Sequence, residues 1–179
     1  PLLFLLFIND LPLNIKYSRC LMFADDLKIF KEIKNVDDVQ LLQTDVDSVV
    51  AWSNRNKLYS NINKCKSMTY TTAKKGYTEA DYSMHQQKLQ TVKVIRDLGV
   101  EFTITLKWDA HINNVVNSAL KNLGFLIRNT SEFQNIVSIK ILYNSLVRSK
   151  LEYGSRVWNS GLQIHKKKWR QFKINSKNF

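Results

Sequence analysis

The stretch LMFADDLKIF, residues 21–30, places two adjacent aspartates, Asp25 and Asp26, in the middle of an apolar run. Its two halves are strand-like, and a two-residue link between such halves is typical of a β-hairpin, here called the FADD hairpin. Aspartate is common in turns because its short side chain hydrogen-bonds the local backbone. Two adjacent carboxylates also repel each other unless a cation lies between them, so the pair is a candidate metal site. The pattern alone leaves both interpretations open and favours the turn.

The composition indicates a folded intracellular protein. The chain has 179 residues, 44% of them hydrophobic, which suits one domain or one domain with a small appendage. Two cysteines are too few for a disulfide framework, so we expect a reducing compartment, cytoplasm or nucleus, and no secretion. The N-terminal run PLLFLLFI lacks a basic leader and a cleavage site, and it is shorter than the ~20 residues that cross a bilayer. We expect a buried core segment in a chain whose true beginning is missing.

The charge is strongly positive and concentrated near the C-terminus. Basic residues outnumber acidic ones by 27 to 15, giving a net charge of +12. Residues 161–179 form a basic tail without an acidic residue, in which aromatic residues are interleaved with cations. A solvated tail is the common interpretation of such a run, whereas rings that stack on bases beside cations that contact phosphates favour nucleic acid. The candidate nucleic-acid-binding residues of the tail are Lys166, Lys167, Lys168, Trp169 and Arg170.

Hydrophobic periodicity predicts the elements that follow the FADD hairpin. Apolar residues at helical spacing predict an amphipathic helix over 36–56, capped by Asn35 or Asp37 and packed on a sheet. A period of two predicts a strand over 62–71, and the polar stretch 71–83 is expected to be a turn or loop.

The C-terminal part of the chain is predicted to be mainly helical. β-Branched residues predict a strand pair over 89–94 and 97–102, in which Gly99 interrupts the run. Helical spacing then predicts two helices, over 108–127 and 135–151.

Five segments resemble, in order, the reverse transcriptases of non-LTR retrotransposons, particularly the jockey-like group of animals. They are PLLFLLFINDLP, FADDLKIF, WSNRNKLYSNINKCKSM, RDLGV and LYNSLVRSKLEYGSRVW. The resemblance extends from residue 1 to about Trp158. A single four-residue motif recurs by chance, but five segments in order at compatible spacings are a specific signal.

The resemblance implies an α/β (α+β) fold that comprises the C-terminal part of a polymerase palm and the thumb. Residues 1–105 would be the partial palm, with a sheet, a packed helix, the FADD hairpin and a hairpin like the primer grip. Residues 106–160 would be a helical thumb-like region, with the boundary near Thr105, and residues 161–179 the basic tail.

The resemblance also implies a magnesium site at the FADD hairpin. In this family the aspartates of the hairpin help to hold two Mg²⁺ ions, with Asp25 as the direct ligand and Asp26 as its partner. The ions lower the pKa of the primer 3′-hydroxyl and neutralise charge on the α-phosphate. Phe23 corresponds to an aromatic position near the sugar of the growing end. Lys64 corresponds to a lysine that could protonate the leaving pyrophosphate; Lys66, or no catalytic lysine at all, is an equal alternative.

Further residues are implied to contact nucleic acid. Leu98 and Gly99 correspond to the primer-grip turn, where glycine lets the backbone approach the primer; an ordinary tight turn is the alternative. Four cations of the thumb-like region would contact phosphates rather than read sequence, although each alone is more often a surface cation: Lys121, Arg128, Arg148 and Lys150. The histidines have no spacing typical of a metal site and are expected to be structural or exposed. Tyr153 and Trp158 are expected in the core.

The implied partners are an RNA template and a DNA primer, with Mg²⁺ as cofactor and no membrane. A third metal-binding aspartate, the fingers and the nucleotide pocket would lie before Pro1, in a missing N-terminal half, and Asp10 is no substitute for that aspartate. The chain alone would therefore be an inactive part of an RNA-directed DNA polymerase. The alternative function is a non-catalytic basic module that binds nucleic acid by charge and shape.

Overall fold

The computed structural model describes residues 2–71 and 80–158. The chain divides into two compact units, Pro1–Lys93 and Val94–Phe179. This division precedes the predicted boundary near Thr105, because the second predicted strand pair packs with the helices that follow it. Helices and small, mostly antiparallel sheets occur together, which agrees with the α+β fold class.

The first unit contains one long helix and several short helices and strands. In chain order they are α1 Leu2–Ile8, β1 Arg19–Phe23, β2 Asp26–Phe30, α2 Val36–Arg55, β3 Lys66–Ser67, β4 Ser83–Met84, β5 Gln87–Lys88 and β6 Gln90–Thr91. The pairs β1–β2 and β4–β5 are antiparallel, and β3–β6 is parallel. Within the described ranges no sheet has more than two strands, so the described residues form separate strand pairs and not the larger sheet that was expected.

Helix α2 is the central element of the first unit. It begins after Asn35, whose side chain accepts a hydrogen bond from the Asp38 backbone N–H at 2.9 Å, so Asn35 is the cap of the two candidates. One side of α2, with Val49 and Trp52, packs against α1 and the FADD hairpin. Another side packs against the β4–β5 hairpin. The prediction of a helix packed on strands is therefore confirmed.

The N-terminal run is a helix, not a buried core segment. Ile8 is buried, but Leu2, Leu3 and Leu6 are exposed by 72%, 80% and 67%. The exposure of these leucines has a geometric reason. A helix of seven residues packs with only one side, and Phe4 and Ile8, four residues apart, form that side. No helix among the described residues is long and apolar enough to span a membrane.

The predicted strand over 62–71 is wrong for most of its length. Ile62–Lys64 form a 3₁₀ helix, and only Lys66–Ser67 pair with another strand. The Asn61 side chain accepts a hydrogen bond from the Asn63 backbone N–H at 3.2 Å. Such a local side-chain bond competes with strand pairing, which explains why the alternating pattern fails here.

One hairpin was missed by the sequence analysis. Strands β4 and β5 join through His85 and Gln86, whose φ angles are +50° and +64°. Turns with two positive φ angles usually contain asparagine, aspartate or glycine, so nothing in this composition marks the turn. Most of the loop predicted over 71–83 lies outside the described residues.

The second unit is a hairpin followed by helices. Its described elements are β7 Val94–Asp97, β8 Val100–Thr103, α3 Asp109–Asn129, α4 Ile136–Tyr143, a π-helical segment Asn144–Arg148, α5 Ser149–Glu152 and α6 Ser155–Trp158. Both long helices predicted for this part are confirmed. A hairpin forms in this region, but its strands, Val94–Asp97 and Val100–Thr103, lie later in the chain than predicted, and Leu98 and Gly99, predicted inside the second strand, form its turn.

The π-helical segment lets one long helical run pack against α3. Val147 and Leu151 are buried against Ala119 of α3. A π turn interrupts the regular i to i−4 hydrogen bonds, and the Asn122 side chain donates to the Leu146 carbonyl in this segment at 2.6 Å. The interruption is thus compensated by a side chain of the neighbouring helix.

A buried carboxylate ties the chain before β1 to α2. Asp45 is 1% exposed, and its two oxygens accept hydrogen bonds from the backbone N–H groups of Lys16 and Tyr17 at 2.8 and 2.9 Å. Bonds from N–H groups to an ionised acceptor are stronger than neutral ones. Because Tyr17 lies two residues before β1, this contact fixes where the FADD hairpin begins.

We expect Asp45→Ala to lower the free energy of unfolding by roughly 2 to 4 kcal/mol, because two backbone N–H groups lose a charged acceptor. Hydrogen exchange followed by NMR should show lost protection at the amides of Lys16 and Tyr17. Asn54→Ala, at an exposed position of the same helix, is the control and should change stability by less than about 0.5 kcal/mol. Equal effects of the two substitutions would contradict the anchoring role of Asp45.

Candidate functional site

The FADD hairpin is confirmed, with its turn one residue earlier than expected. Phe23 pairs with Asp26, so the two turn residues are Ala24 and Asp25, and Asp26 already belongs to β2. Ala24 has a φ of +51°. Tight hairpin turns need a positive φ to match the strand twist, and alanine adopts it more readily than a bulky or β-branched residue.

The hairpin has one face packed on the core and one exposed face. Met22, Leu27 and Ile29 pack toward the core beside α2. The pair Phe23 and Asp26 projects from the opposite face, and Phe23 is 62% exposed. Directly paired residues of this kind have Cβ atoms about 5 Å apart. The exposed face therefore presents the Phe23 ring beside the Asp26 carboxylate. The turn next to it contains Asp25, which is also exposed.

Asp25 and Asp26 provide two carboxylates, which are the type of ligand that Mg²⁺ prefers. Mg²⁺ prefers oxygen ligands and is usually bound by one or two carboxylates together with water and phosphate oxygens. Among the described residues, no group of three or more His, Cys, Asp or Glu side chains could hold a metal ion. Asp10 is engaged elsewhere, since its carboxylate accepts a hydrogen bond from the Trp52 indole at 3.1 Å. The remaining ligands would be water and phosphate.

Both candidate lysines of the first unit are exposed. Lys64 ends the 3₁₀ helix, where its backbone N–H donates to the Asn61 carbonyl at 3.0 Å, and Lys66 lies in β3. An exposed ammonium keeps its three donors available to a phosphate. Either side chain therefore has the chemistry of a proton donor or a phosphate contact.

The second hairpin has the turn that its glycine predicted. Leu98 and Gly99 join β7 to β8 with φ angles of +43° and +83°, the pair of positive values found in type I′ turns. The Tyr153 hydroxyl donates to the Leu98 carbonyl at 2.7 Å. A Cβ at Gly99 would lie 3.0 Å from the Tyr153 ring. The close approach at Gly99 is thus made by an aromatic side chain of the same unit.

The segment after α5 has a different role for each of its aromatic residues. Trp158 is 1% exposed, as expected for a core residue, whereas Tyr153 is 58% exposed because its ring covers the hairpin turn at the surface. The Trp158 indole donates to the Tyr153 carbonyl at 3.0 Å. Gly154 has a φ of +63°, and a Cβ there would lie 2.9 Å from Val100. Tyr153 and Gly154 therefore allow this turn to pack closely against β8.

His111 is a structural residue. It is 5% exposed, its Nδ1 accepts a hydrogen bond from the Glu101 backbone N–H at 3.2 Å, and its ring packs edge-on against Trp158. Its Nε2 has no hydrogen-bond partner within the described part of the chain. Burial lowers the pKa of His111 below its ordinary value; the positive charge of Arg96 adds to this, and Glu101 opposes it.

The four cations expected to contact phosphate fall into two pairs. Arg148 forms an ion pair with Glu152 at 2.6 Å, and the Lys150 ammonium donates to a serine hydroxyl of α3 at 3.1 Å. Lys121 and Arg128 are exposed on α3, and neither forms an ion pair or side-chain hydrogen bond with another described residue. The structure therefore distinguishes engaged from unengaged cations, which the sequence did not.

The candidate residues of the basic tail, Lys166, Lys167, Lys168, Trp169 and Arg170, lie outside the described residues.

Comparisons of the chain with protein-family models, with curated proteins and with solved structures found no match. The candidate site is therefore defined by the residues of this chain alone: two carboxylates and an aromatic ring on one hairpin, and a separate set of cations on the helices.

Two glycine substitutions should have effects of opposite sign. Gly99→Ala should lower the free energy of unfolding by more than about 1 kcal/mol, because alanine is strained at a positive φ and would press on Tyr153. Gly124→Ala in the interior of α3 should raise it by roughly 0.5 to 1 kcal/mol, because alanine favours helix. Chemical denaturation measures both. Destabilisation by Gly124→Ala equal to that by Gly99→Ala would contradict the assigned backbone conformations.

The stability of the second unit should decrease as the pH falls from 7 to 5. In the unfolded chain His111 binds a proton near pH 6.5, whereas in the folded chain its lowered pKa delays protonation. The contribution is therefore complete above the unfolded pKa and is lost toward the folded pKa, at no more than about 1.4 kcal/mol per pH unit.

Urea unfolding at several pH values measures this slope. His111→Gln should reduce it, since glutamine does not titrate. His85→Asn, at an exposed turn position that tolerates positive φ, should leave it unchanged. A slope that is the same in the parent chain and in His111→Gln would show that other groups cause the pH dependence.

Proposed function

We propose that this chain is part of an RNA-directed DNA polymerase, the reverse transcriptase of a non-LTR retrotransposon. The observation that carries the proposal is the geometry of the FADD hairpin. Asp25 lies in the turn, Asp26 is the first residue of β2, and both are exposed beside the exposed ring of Phe23. The other face of the hairpin is anchored to the core beside α2, so the carboxylates are held on a defined support.

The electrostatics of the chain support this proposal. An adjacent pair of exposed carboxylates favours a cation, yet the chain as a whole carries a net charge of +12 and so attracts polyanions. Nucleotidyl transfer needs both properties, because a divalent ion must meet a phosphate at the same place. A surface that only binds nucleic acid does not require the carboxylates of Asp25 and Asp26.

Each residue of the hairpin has a proposed task. Asp25 and Asp26 hold the divalent ion, and the aromatic face of Phe23 packs near the sugar of a primer end. When bound, the metal lowers the pKa of the attacking hydroxyl and neutralises charge on the phosphate. Lys64 donates a proton to the leaving pyrophosphate, with Lys66 as the alternative donor.

The proposed partners are an RNA template, a DNA primer and a further polypeptide segment. The resemblance to the family assigns a third metal-binding aspartate, the fingers and the nucleotide pocket to residues that precede Pro1 in the family members. We therefore propose that polymerase activity requires these parts as well, with Mg²⁺ as cofactor. Leu98 and Gly99 would then face the primer on the side of the turn that the Tyr153 ring does not cover.

A second candidate function is a non-catalytic basic module that binds nucleic acid by charge. The observation that favours it is the basic tail over 161–179, which has no acidic residue. The two functions differ in what they require of the FADD hairpin. The polymerase needs the carboxylates of Asp25 and Asp26, whereas the module needs neither.

A manganese titration distinguishes the two functions. Mn²⁺ accepts the same oxygen ligands as Mg²⁺ and broadens the NMR signals of nearby nuclei. In the ¹⁵N-labelled full chain we expect the amides of residues 23–27 to broaden first, with a dissociation constant on the order of 1 mM or weaker, because an open pair of carboxylates leaves most of the ion's water in place.

The chain contains a matched control for this titration. Substituting both Asp25 and Asp26 by asparagine should abolish the local broadening. The same change at Asp37 and Asp38, a second adjacent pair at the start of α2, should leave the hairpin signals broadened. Broadening spread evenly over acidic residues, or surviving the hairpin substitutions, would argue against the polymerase and for the basic module.

A further inference from the structure

We propose that the exposed side of α3 binds single-stranded nucleic acid, with one unpaired base stacked on Phe125 and phosphates contacting Lys121 and Arg128. This surface is called the α3 face and consists of these three residues together with Asn117. The proposal rests on the proposed function only in that the chain handles nucleic acid. It adds the place of contact and the single-stranded state of the ligand.

The three contact residues project from the same side of the helix. Lys121, Phe125 and Arg128 are spaced by four and three residues, so their side chains lie within about 60° of one another and extend over roughly 10 Å along the axis. The buried residues Ala119 and Leu126 project from the opposite side. The α3 face is therefore directed away from the core of its own unit.

The ring of Phe125 is available to a ligand. It is 55% exposed, and within the described part of the chain it takes part in no aromatic pair. An aromatic face stacks on any base, and such stacking is one of the main sources of affinity for single strands. Phe125 thus offers a site for one base between two cations.

Gly124 leaves room for the guanidinium of Arg128 on the α3 face. A Cβ at Gly124 would lie 3.3 Å from Nη1 of Arg128, so the guanidinium lies over backbone that carries no side chain. Glycine inside a helix costs about 1 kcal/mol relative to alanine. At this position the space that a side chain would fill is occupied by the guanidinium of Arg128, which is three residues after Phe125 and projects from the same side of the helix.

No acidic residue of α3 neutralises these cations. The helix has one acidic residue, Asp109, in its first turn, more than three turns before Lys121. Asn117, one turn before Lys121, is also exposed and adds an amide donor to the same side. Unpaired cations release counterions from a phosphate backbone when they bind it, so the charge of the α3 face matches a nucleic acid.

The ring decides between a single strand and a duplex. The backbone of a duplex can satisfy Lys121 and Arg128, but its bases are stacked on one another and present no free face. A single strand satisfies the cations and the ring together. An acidic peptide would pair with the cations and leave Phe125 without a matching group.

Fluorescence anisotropy with the full chain tests the proposal, using a labelled oligonucleotide of mixed sequence as a single strand and as a duplex. Phe125→Ala should weaken binding of the single strand roughly 5- to 150-fold and leave the duplex within twofold. The slope of log affinity against log salt should not change, because no charge is removed. Arg128→Gln should lower this slope by about 0.7 for the single strand.

Three controls make the result decisive. Phe125→Tyr keeps a ring and should retain the affinity. Phe133→Ala removes another exposed aromatic ring, and Lys140→Gln another exposed cation, each outside the α3 face. Phe133→Ala should leave single-strand binding within twofold, and circular dichroism confirms that each variant is folded.

The outcomes separate this inference from the proposed function. If Phe125→Ala and Phe133→Ala have equal effects, or if single strand and duplex weaken equally, the α3 face is not the base-stacking site while nucleic-acid binding stands. If the parent chain binds neither oligonucleotide, both this inference and the proposed handling of nucleic acid are wrong.

Discussion

The first unit depends on one constraint, the burial of helix α2 on two sides. Trp52 and Val49 close one side, and a second cluster closes the other. Two carboxylates make this burial specific: Asp10 accepts the Trp52 indole N–H, and Asp45 accepts the two backbone N–H groups that precede β1. A buried polar group without a partner is costly, so these contacts admit few alternative arrangements. The FADD hairpin is therefore supported by α2, with Asp26 on its exposed face and Asp25 in its turn.

The second unit depends on positive φ angles at two glycines. Gly99 closes the hairpin, and Gly154 turns the chain after α5 so that Trp158 returns to the core. At both places an added Cβ would meet a neighbour at 3.0 Å or less. Tyr153 links the two turns, because its hydroxyl binds the Leu98 carbonyl while its own carbonyl accepts the Trp158 indole. A tight turn of this kind is a rigid support for contacts made on its outer side.

The candidate functions are distributed over separate groups of charges. The paired aspartates of the FADD hairpin suit a divalent ion, and the unengaged cations of α3 suit a phosphate backbone. Arg148 and Lys150 have the same chemistry as Lys121 and Arg128 but already have partners in their own unit. An exposed ion pair contributes little to stability, yet its presence lowers the charge that remains for a ligand. Exposure and engagement, not residue type, therefore separate the cations.

Sequence alone determined the features that depend on neighbouring residues: helices α2 and α3, a cap at Asn35 or Asp37, the FADD hairpin and a turn near Gly99. These follow from helical spacing, capping and turn chemistry, which act over a few residues. Only the tertiary structure decided the exposed side of α1, the anchoring of the hairpin by Asp45 and the packing of Tyr153 on Leu98. Asp45 lies at least 28 positions from its partners in the sequence, and Tyr153 lies 55 positions from Leu98. Contacts between residues so far apart produce no periodic pattern in the sequence. Which residues meet depends on the surfaces that the whole fold brings together.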